Sequence, residues 1–397
     1  MKILLGITGG IAAYRGAELA RLLTKRGHVV RCCLTEAGAR FITPLTLASL
    51  TGQPCFGANA DNHEWRPNPI IEHVDLARWA DVVAVAPATA DILGKTANGL
   101  ADDLLSTLLL ASTGRILWAP AMNKAMWAHP AVRANVARLA GFGHTLVEPA
   151  EGMLACGEEG AGKLADINDI ADAIEAQAPP HPALAGRQIL ITAGPTREDL
   201  DPVRTLTNRS SGAMGVELAR AFRAAGAQVS LVLGGELPAP WGVHTVRVRS
   251  AQDMLEACQA LWPAMDGVVA AAAVADQRPE TAAKEKVKKG EGVETLTLVR
   301  TPDILAALSA ARTRGQWLLG FAAESEEHLA NATLKFQKKK LDGVLVNDIG
   351  HDQGFGHQMN TLLPITAQGP GQPLGPLPKD RLAQAVVRWW GDWLARQ

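Results

Sequence analysis

The chain has 397 residues, 47% of them hydrophobic and 20% charged, with 38 glycines and 23 prolines; the length suits two or three domains, and the composition excludes disordered and fibrous classes. Thirty-nine basic residues balance 40 acidic ones for a net charge of -1, so no broad field exists to hold a nucleic-acid backbone or an anionic membrane, and only local phosphate sites remain open. Five scattered cysteines, Cys32, Cys33, Cys55, Cys156 and Cys258, form neither a disulfide framework nor a zinc spacing and suit a reducing cytosol.

From the start, MKILLGITGG breaks its apolar run at Gly6 and Gly9 with no small-residue cleavage pattern behind it, and reads as a first buried strand, not a signal peptide. No stretch reaches the roughly 18 uninterrupted apolar residues of a membrane span, and a soluble, cytoplasmic protein is expected. Apolar runs at Lys2–Ile7, Val29–Leu34, Val82–Ala86 and Ile116–Ala119 alternate with helical patterns. Runs apolar on both faces suit parallel strands covered by helices, and crossover handedness then favours a doubly wound sheet with its site at the strand C-termini. After Ala178 the stretch APPHPALAG interrupts any helix, giving a Pro-rich linker at 178–186 and a boundary between domains 1–184 and 185–397. Beyond it QILITAGPT, Val229–Leu233, Asp266–Asp276, Trp317–Glu324 and Gly343–Asp348 restart the pattern, so a second α/β domain is expected. No internal repeat beyond this shared style is visible.

The turn GITGGIAAY, Gly6 to Tyr14, leads from the first strand into a helix and sets several N–H groups at a positive helix end, where a bound phosphate and a merely tight turn are both open readings. Gly94-Lys95-Thr96 imitates the end of a phosphate loop, but Thr89 replaces the glycine five positions earlier and no strand leads in, so it is set aside. His73, in IIEHVDL, has the side chain to accept a proton near neutral pH, against the reading of an ordinary structural histidine. Asn123, in WAPAMN, offers its amide to a carboxylate or a flavin edge, or simply forms a turn. Cys156, alone in the flexible segment GMLACGEEGAGKL, is a proton donor or nucleophile in waiting.

The ordered set GITGGIAAY, FITPLTL, EHVDL, APATAD, DDLLST, APAMN and ACGEEGAGKL resembles the phosphopantothenoylcysteine decarboxylase half of the bifunctional coenzyme A enzymes, over nearly all of residues 1–170. The resemblance implies a flavodoxin-like doubly wound sheet with FMN in its crevice, near Gly9, Gly10, Thr35, Ala88, Thr89 and Ser106. In such enzymes the flavin oxidises the substrate thiol, carbon dioxide leaves, and the reduced flavin returns the hydride. His73 then acts as base, Asn123 binds the substrate carboxylate and Cys156 supplies the proton for the last reduction. This chain departs from the pattern at Thr8 (usually serine), Asp102 (usually asparagine) and Lys163-Leu164 (usually Arg-Met).

In the rear half, Thr192 to Gly215 joins a strand through a long polar loop to a helix, with Ser210, Ser211 and Gly212 at its start; phosphate binding and a long capped connection are both open. The run KEKVKK, Lys284–Lys289, reads alone as a solvated surface. Together TAGPTRE, TNRSSGAMG, AAVAD, EKVKK, TPDIL, GFAAES and LDGVLVND resemble phosphopantothenate-cysteine ligase, which implies a Rossmann-like α/β domain. That family activates a carboxylate with CTP as an acyl-cytidylate and lets the cysteine amine attack. The resemblance implies that Asn208 positions the intermediate and Lys286 neutralises charge on the triphosphate, with Asp276, Pro302, Asp303, Ile304, Leu305, Phe321, Lys335 and Lys339 holding the nucleotide. Mg²⁺ is expected to ride on the triphosphate, its protein ligands unidentified. Ala213 replaces the usual lysine of SSGKMG.

The substrates implied are 4'-phosphopantothenate, cysteine and CTP, without nucleic acid or membrane, and the assembly implied is a homo-oligomer of trimeric front halves and dimeric rear halves, up to a dodecamer. Two other readings are a flavin prenyltransferase-like enzyme on the same scaffold and a non-catalytic binding protein. The Cys156 segment and the whole rear half argue against the first, and the presence of His73 and Cys156 against the second.

Overall fold

A computed structural model describes residues 1–58, 72–114, 116–153, 157–287, 295–324, 328–348 and 359–397. The chain divides into two compact units, Met1–Ala178 and Pro179–Gln397.

In the first unit β1 (Lys2–Ile7), α1 (Ala13–Lys25), β2 (Val29–Leu34), α2 (Glu36–Ala39), α3 (Pro44–Thr51) and β3 (Cys55–Gly57) are followed by α4 (Glu72–Trp79) and β4 (Val82–Ala88). Then come α5 (Ala90–Ala97), α6 (Leu104–Ala111), β5 (Ile116–Pro120), α7 (Lys124–Ala128), α8 (Pro130–Gly141) and β6 (Thr145–Leu146). A hairpin of β7 (Ala150–Met153) and β8 (Glu159–Lys163) precedes α9 (Ile167–Glu175). The six strands pair in the order β3-β2-β1-β4-β5-β6, all parallel. Flavodoxin itself has the order 2-1-3-4-5; the six-strand path found here obeys the same rule, with a crevice where the order reverses, between β1 and β4.

β4 is buried at every position, as a central strand covered on both faces must be. Leu4, Val83, Val85, Ile92, Leu105, Trp118 and Val136 share one core layer. On the other face α1 packs against α3 and α9. There Arg26 reaches Asp172 (2.8 Å) and Glu175 (3.0 Å), and His28 Nε2 lies 2.8 Å from Glu175. Burial pushes the Glu175 carboxyl up, but the bonds from His28 and Arg26 outweigh it and hold the group below its ordinary range.

The second unit opens with β9 (Gln188–Ala193), the hairpin β10 (Arg197–Asp199) and β11 (Thr205–Thr207), α10 (Ala213–Ala224), β12 (Gln228–Gly234), β13 (His244–Val248) and α11 (Ala251–Leu261). β14 (Gly267–Ala270), β15 (Gln277–Pro279), β16 (Leu298–Arg300), α12 (Ile304–Ala310), β17 (Trp317–Glu324), α13 (His328–Lys338) and β18 (Gly343–Asp348) follow. β19 (Met359–Thr366), β20 (Gly369–Pro370), β21 (Leu374–Pro378) and α14 (Lys379–Leu394) complete it. The parallel core runs β13-β12-β9-β14-β17-β18, which repeats the first unit's path, and an antiparallel β19 extends it. Alternation sends Ile189, Ile191, Leu231 and Leu319 to the layer under α10 and α14, and Leu190, Val232, Leu318 and Val344 to the layer under α11 and α12.

Two expectations need correction. The apolar run Asp266–Asp276 is strand only over Gly267–Ala270. Past that point the N–H groups of Ala271 and Ala273 turn to the carbonyls of Thr192 and Gly194, so the rest of the run becomes the wall of a loop. The stretch 178–186 is also not free linker: Leu184 is wholly buried in the second core, and His181 and Gly186 donate to the carbonyls of Ala225 and Gly226.

Candidate active sites

At the C-terminal ends of β1, β2 and β4 three helix starts converge. Thr8, nearly fully buried, donates its hydroxyl to the Pro87 carbonyl (2.7 Å) and accepts the Thr89 N–H (3.1 Å), tying two of the turns together. Thr35 donates its N–H to the Ile7 carbonyl (3.2 Å) and starts α2 by accepting the Gly38 N–H (3.1 Å). A Cβ on Gly9 would lie 2.3 Å from Ala37 Cβ, so only glycine lets the turn press against α2; at Gly10 a Cβ would meet nothing nearer than Thr89 Cγ2 at 4.0 Å. Thr89 caps α5 through its backbone alone, with no cap bond from its hydroxyl. The starts of α1, α2 and α5 thus bring their positive dipole ends to one edge as a cradle, with Glu36 and Asp91 standing in the first turns of α2 and α5.

Two expected contacts are narrower than the sequence implied. Ala88 is wholly buried, with its side chain in the core. Ser106 has no exposed surface, and its hydroxyl serves a capping box with Asp103, 2.8 Å from the carboxylate. Either can meet a ligand only through the backbone it shapes. Nearby, Lys95 lies 3.0 Å from Asp102 and 3.3 Å from Asp91. Asp102 holds the Lys95 ammonium above its ordinary range, and Lys95 holds Asp102 below its own. The lysine of the rejected phosphate-loop look-alike therefore balances the residue that departs from the family's asparagine.

His73 sits half-buried in the first turn of α4, which packs on α6. In a crossover the helix begins at the C-terminal edge of the sheet, so His73 belongs to the same edge as the cradle. Asn123 caps α7: its Oδ1 accepts the Ala125 N–H (2.8 Å), and its Nδ2 donates to Glu158 Oε2 (3.3 Å). Glu158 leads into β8, which is docked on the Asn123 turn through the Met122 N–H to the Gly162 carbonyl (2.9 Å). Cys156 lies outside the described residues. Of the other thiols, burial pushes Cys55 up to about 11 and Cys258 up to about 12, and lifts Cys32 and Cys33 as well.

In the second unit Gly194 (φ 84°) and Gly212 (φ 81°) let backbones meet where side chains cannot: a Cβ on Gly194 would lie 1.9 Å from the Gly234 carbonyl, and one on Gly212 would lie 2.7 Å from Gly194 Cα. This brings the start of α10 onto the end of β9. Asn208 donates Nδ2 to the carbonyls of Val274 (3.0 Å) and Ala273 (3.3 Å). The Thr301 N–H donates to the Asp276 carbonyl (3.1 Å), which carries the line on to Pro302 and Asp303. Asp303 caps α12 by accepting the Ala306 N–H, and Lys339 Nζ lies 2.8 Å from its carboxylate. Burial pushes Asp303 up, but Lys339 and the Ala306 N–H bring it below the ordinary range. Lys335 Nζ donates to the Phe321 carbonyl (2.6 Å). Asn208, Asp276, Asp303, Phe321, Lys335 and Lys339 therefore form one continuous edge, whereas Ile304 and Leu305 turn their side chains into the core and offer only backbone.

Lys286 is exposed, and what fixes its segment was not read from the sequence. Asp201, nearly fully buried, binds the guanidinium of Arg204 (2.7 and 2.9 Å) and accepts the N–H groups of Val203, Arg204 and Val287. Arg204 and these N–H groups hold its carboxyl well below the usual range. The signal was the acidic and basic pair three apart inside DPVR. Among the described residues no group of three or more His, Cys, Asp or Glu is placed to hold a metal ion, and no helix is long and apolar enough to cross a membrane.

Residues 1–178 match the Flavoprotein family, and residues 184–392 match the DNA/pantothenate metabolism flavoprotein C-terminal domain. The molecule is thus a two-domain α/β flavoprotein of pantothenate metabolism. It is 42% identical to a Vibrio vulnificus coenzyme A biosynthesis bifunctional protein CoaBC over 372 residues, covering 93% of this chain and 92% of the relative. A Bacillus subtilis CoaBC is 42% identical over 368 residues, covering 90% and 89%. A solved C-terminal domain of a CoaBC, 38% identical, covers 54% of this chain and 99% of its own with a TM-score of 0.46. The chain belongs to the CoaBC family of bifunctional coenzyme A biosynthesis proteins.

Proposed function

We propose that the chain carries out two successive steps of coenzyme A biosynthesis: the second unit joins cysteine to 4'-phosphopantothenate at the expense of CTP, and the first decarboxylates the product to 4'-phosphopantetheine with FMN. The observation that carries this reading is that one alignment to a bifunctional relative runs through both units, over 93% of the chain.

The residues at the first crevice fit an FMN monophosphate. The turn at Gly9 and Gly10 brings backbone N–H groups to the crevice without side chains of its own, while Thr35 and Thr89, whose N–H groups are taken by Ile7 and Thr8, offer hydroxyls. Bound there, FMN supplies a reversible two-electron acceptor. His73 takes a proton from the substrate, Asn123 presents Nδ2 to its carboxylate, and Cys156 returns a proton at the end. That Nδ2 already faces a carboxylate, that of Glu158, supports the role given to Asn123.

In the second unit the start of α10, Ser211 and Gly212 receive phosphate, and Asp276, the backbone of 302–305, Phe321, Lys335 and Lys339 hold the nucleotide. Asn208 has its amide nitrogen held by carbonyls, so Oδ1 is the atom it offers to the activated intermediate. Lys286 neutralises charge on the leaving pyrophosphate, with Mg²⁺ travelling on the triphosphate. The protein acts in the cytoplasm as a homo-oligomer of trimeric first units and dimeric second units.

The test is direct. The purified protein is yellow and releases labelled carbon dioxide from carboxyl-labelled cysteine only when phosphopantothenate and CTP are both present. Colourless protein that forms no cytidylate would sink the proposal, and faster turnover with ATP than with CTP would reassign the nucleotide.

A further inference from the structure

We propose that Glu158 is an internal carboxylate ligand of the Asn123 amide, which the substrate carboxylate must displace and which returns once that carboxylate has left as carbon dioxide. The inference rests on the assignment of Asn123 to the substrate carboxylate.

The geometry of Asn123 leaves little freedom. Its Oδ1 is engaged by the Ala125 N–H at 2.8 Å, so the planar amide has one orientation and Nδ2 points away from α7. There it meets Glu158 Oε2 at 3.3 Å. The same oxygen lies 3.7 Å from Lys124 Nζ. An amide N–H beside an ammonium is the donor set that a free carboxylate would choose. Glu158 is held in reach because β8 is hydrogen-bonded to the Asn123 turn at Met122 and Gly162, and because the Lys124 stem runs along Gly160, where an added Cβ would lie 3.0 Å from Lys124 Cδ. A tethered ligand competes at a high local concentration.

Nδ2 carries two hydrogens, but two carboxylates held side by side on them and beside the same ammonium would repel each other. A substrate that carries the carboxylate therefore binds against Glu158, and a product that has lost it does not. Glu158 weakens substrate binding selectively and refills the donor site after decarboxylation. Because the Lys124 and Glu158 side chains are 46% and 48% exposed, the competition is worth about three- to tenfold in affinity, the range of one exposed hydrogen bond.

The experiment uses the flavin-loaded full chain, with binding followed by the flavin absorption spectrum. The ligands are the S-methyl thioether of phosphopantothenoylcysteine, which keeps the carboxylate and cannot turn over, and 4'-phosphopantetheine, which lacks it. Glu158→Ala should tighten the first about three- to tenfold and change the second less than about twofold, with Glu158→Gln in between. In an Asn123→Ala background the Glu158→Ala gain should vanish. Unchanged or weaker thioether binding in Glu158→Ala, or equal tightening of both ligands, overturns the proposal. Asn123→Ala alone separates the two claims: if it weakens the thioether and spares phosphopantetheine, the Asn123 assignment stands whatever Glu158 does, and if it weakens neither, both fall.

Discussion

The two units share a strand order and differ in how they present positive potential at the edge proposed to bind ligands. In the first unit the cradle at Gly9, Gly10, Thr35 and Thr89 is made of N–H groups and hydroxyls, and the Lys95 ammonium on α5 is committed to Asp102 and Asp91. The second unit places more ammonium groups along a similar glycine crossing: Lys335 on the Phe321 carbonyl, Lys339 paired with Asp303 as Lys95 is with Asp102, and Lys286 on a segment clamped by Asp201. A monophosphate that stays bound through the reaction needs only fixed dipoles. A triphosphate that splits off pyrophosphate gathers charge as it reacts, and that calls for ammonium groups aimed at where the charge grows.

Substitutions can break this contrast, beginning with the strongest. Lys286→Ala should lower the ligation kcat/KM by about 10²- to 10³-fold, the loss typical of one preorganised charge, with decarboxylation of supplied phosphopantothenoylcysteine unaltered; a loss of both activities would mean the two edges are not independent. Gly9→Val should weaken FMN binding by roughly 10- to 100-fold, as the added atoms strike α2, while CTP turnover continues. FMN retention during gel filtration reads this out. Away from both edges, Glu175→Gln should destabilise the first unit by about 2 kcal/mol at pH 7 in urea unfolding, because Arg26 and His28 lose their shared carboxylate. Glu175 titrates below its ordinary value of 4.5 in the folded protein, so its stabilisation is fully present above that pH and is lost as the pH falls below it. The difference from wild type should therefore close in acid. Smallest of all, Asp392→Asn, which removes the partly exposed partner of His181, should cost about 0.5 kcal/mol or less.

Much of the scaffold was legible in the residues. β1, β2, β17 and β18 begin and end where the runs read from the sequence do, because a parallel strand covered on both faces is predominantly apolar. The same rule misled at Asp266–Asp276, where beyond Ala270 the backbone keeps bonds to Thr192 and Gly194 and one isolated bridge from Ala273 to Pro195, not a regular ladder. The antiparallel extension by β19 and β21 escaped notice, since the inward positions of β19 include Asn360 and Pro364 and β21 holds a glycine and two prolines, which mask the alternation. At the sites, residue type pointed to Asn123 and the family resemblance to Asp303 and Lys339, but neither showed which side chains meet. That Glu158 meets Asn123, or that Asp201 fixes the segment of Lys286 from 86 positions away, depends on chain crossings that spacing does not encode. Ser106, Ile304 and Leu305 illustrate the converse: motif membership marked them, and packing turned their side chains inward.

Leu184 has a consequence for anyone who wishes to separate the two halves. It is a stopper for the rear core, seated beside Ile189, Phe222 and Trp390 although it precedes the first rear strand. A rear-half fragment started at Gln188, where regular structure begins, would open a hole the size of a leucine side chain, at a cost of about 2 to 5 kcal/mol. The cut that respects the packing falls after Ala178, and the prolines and His181 that look like dispensable tether travel with the ligase.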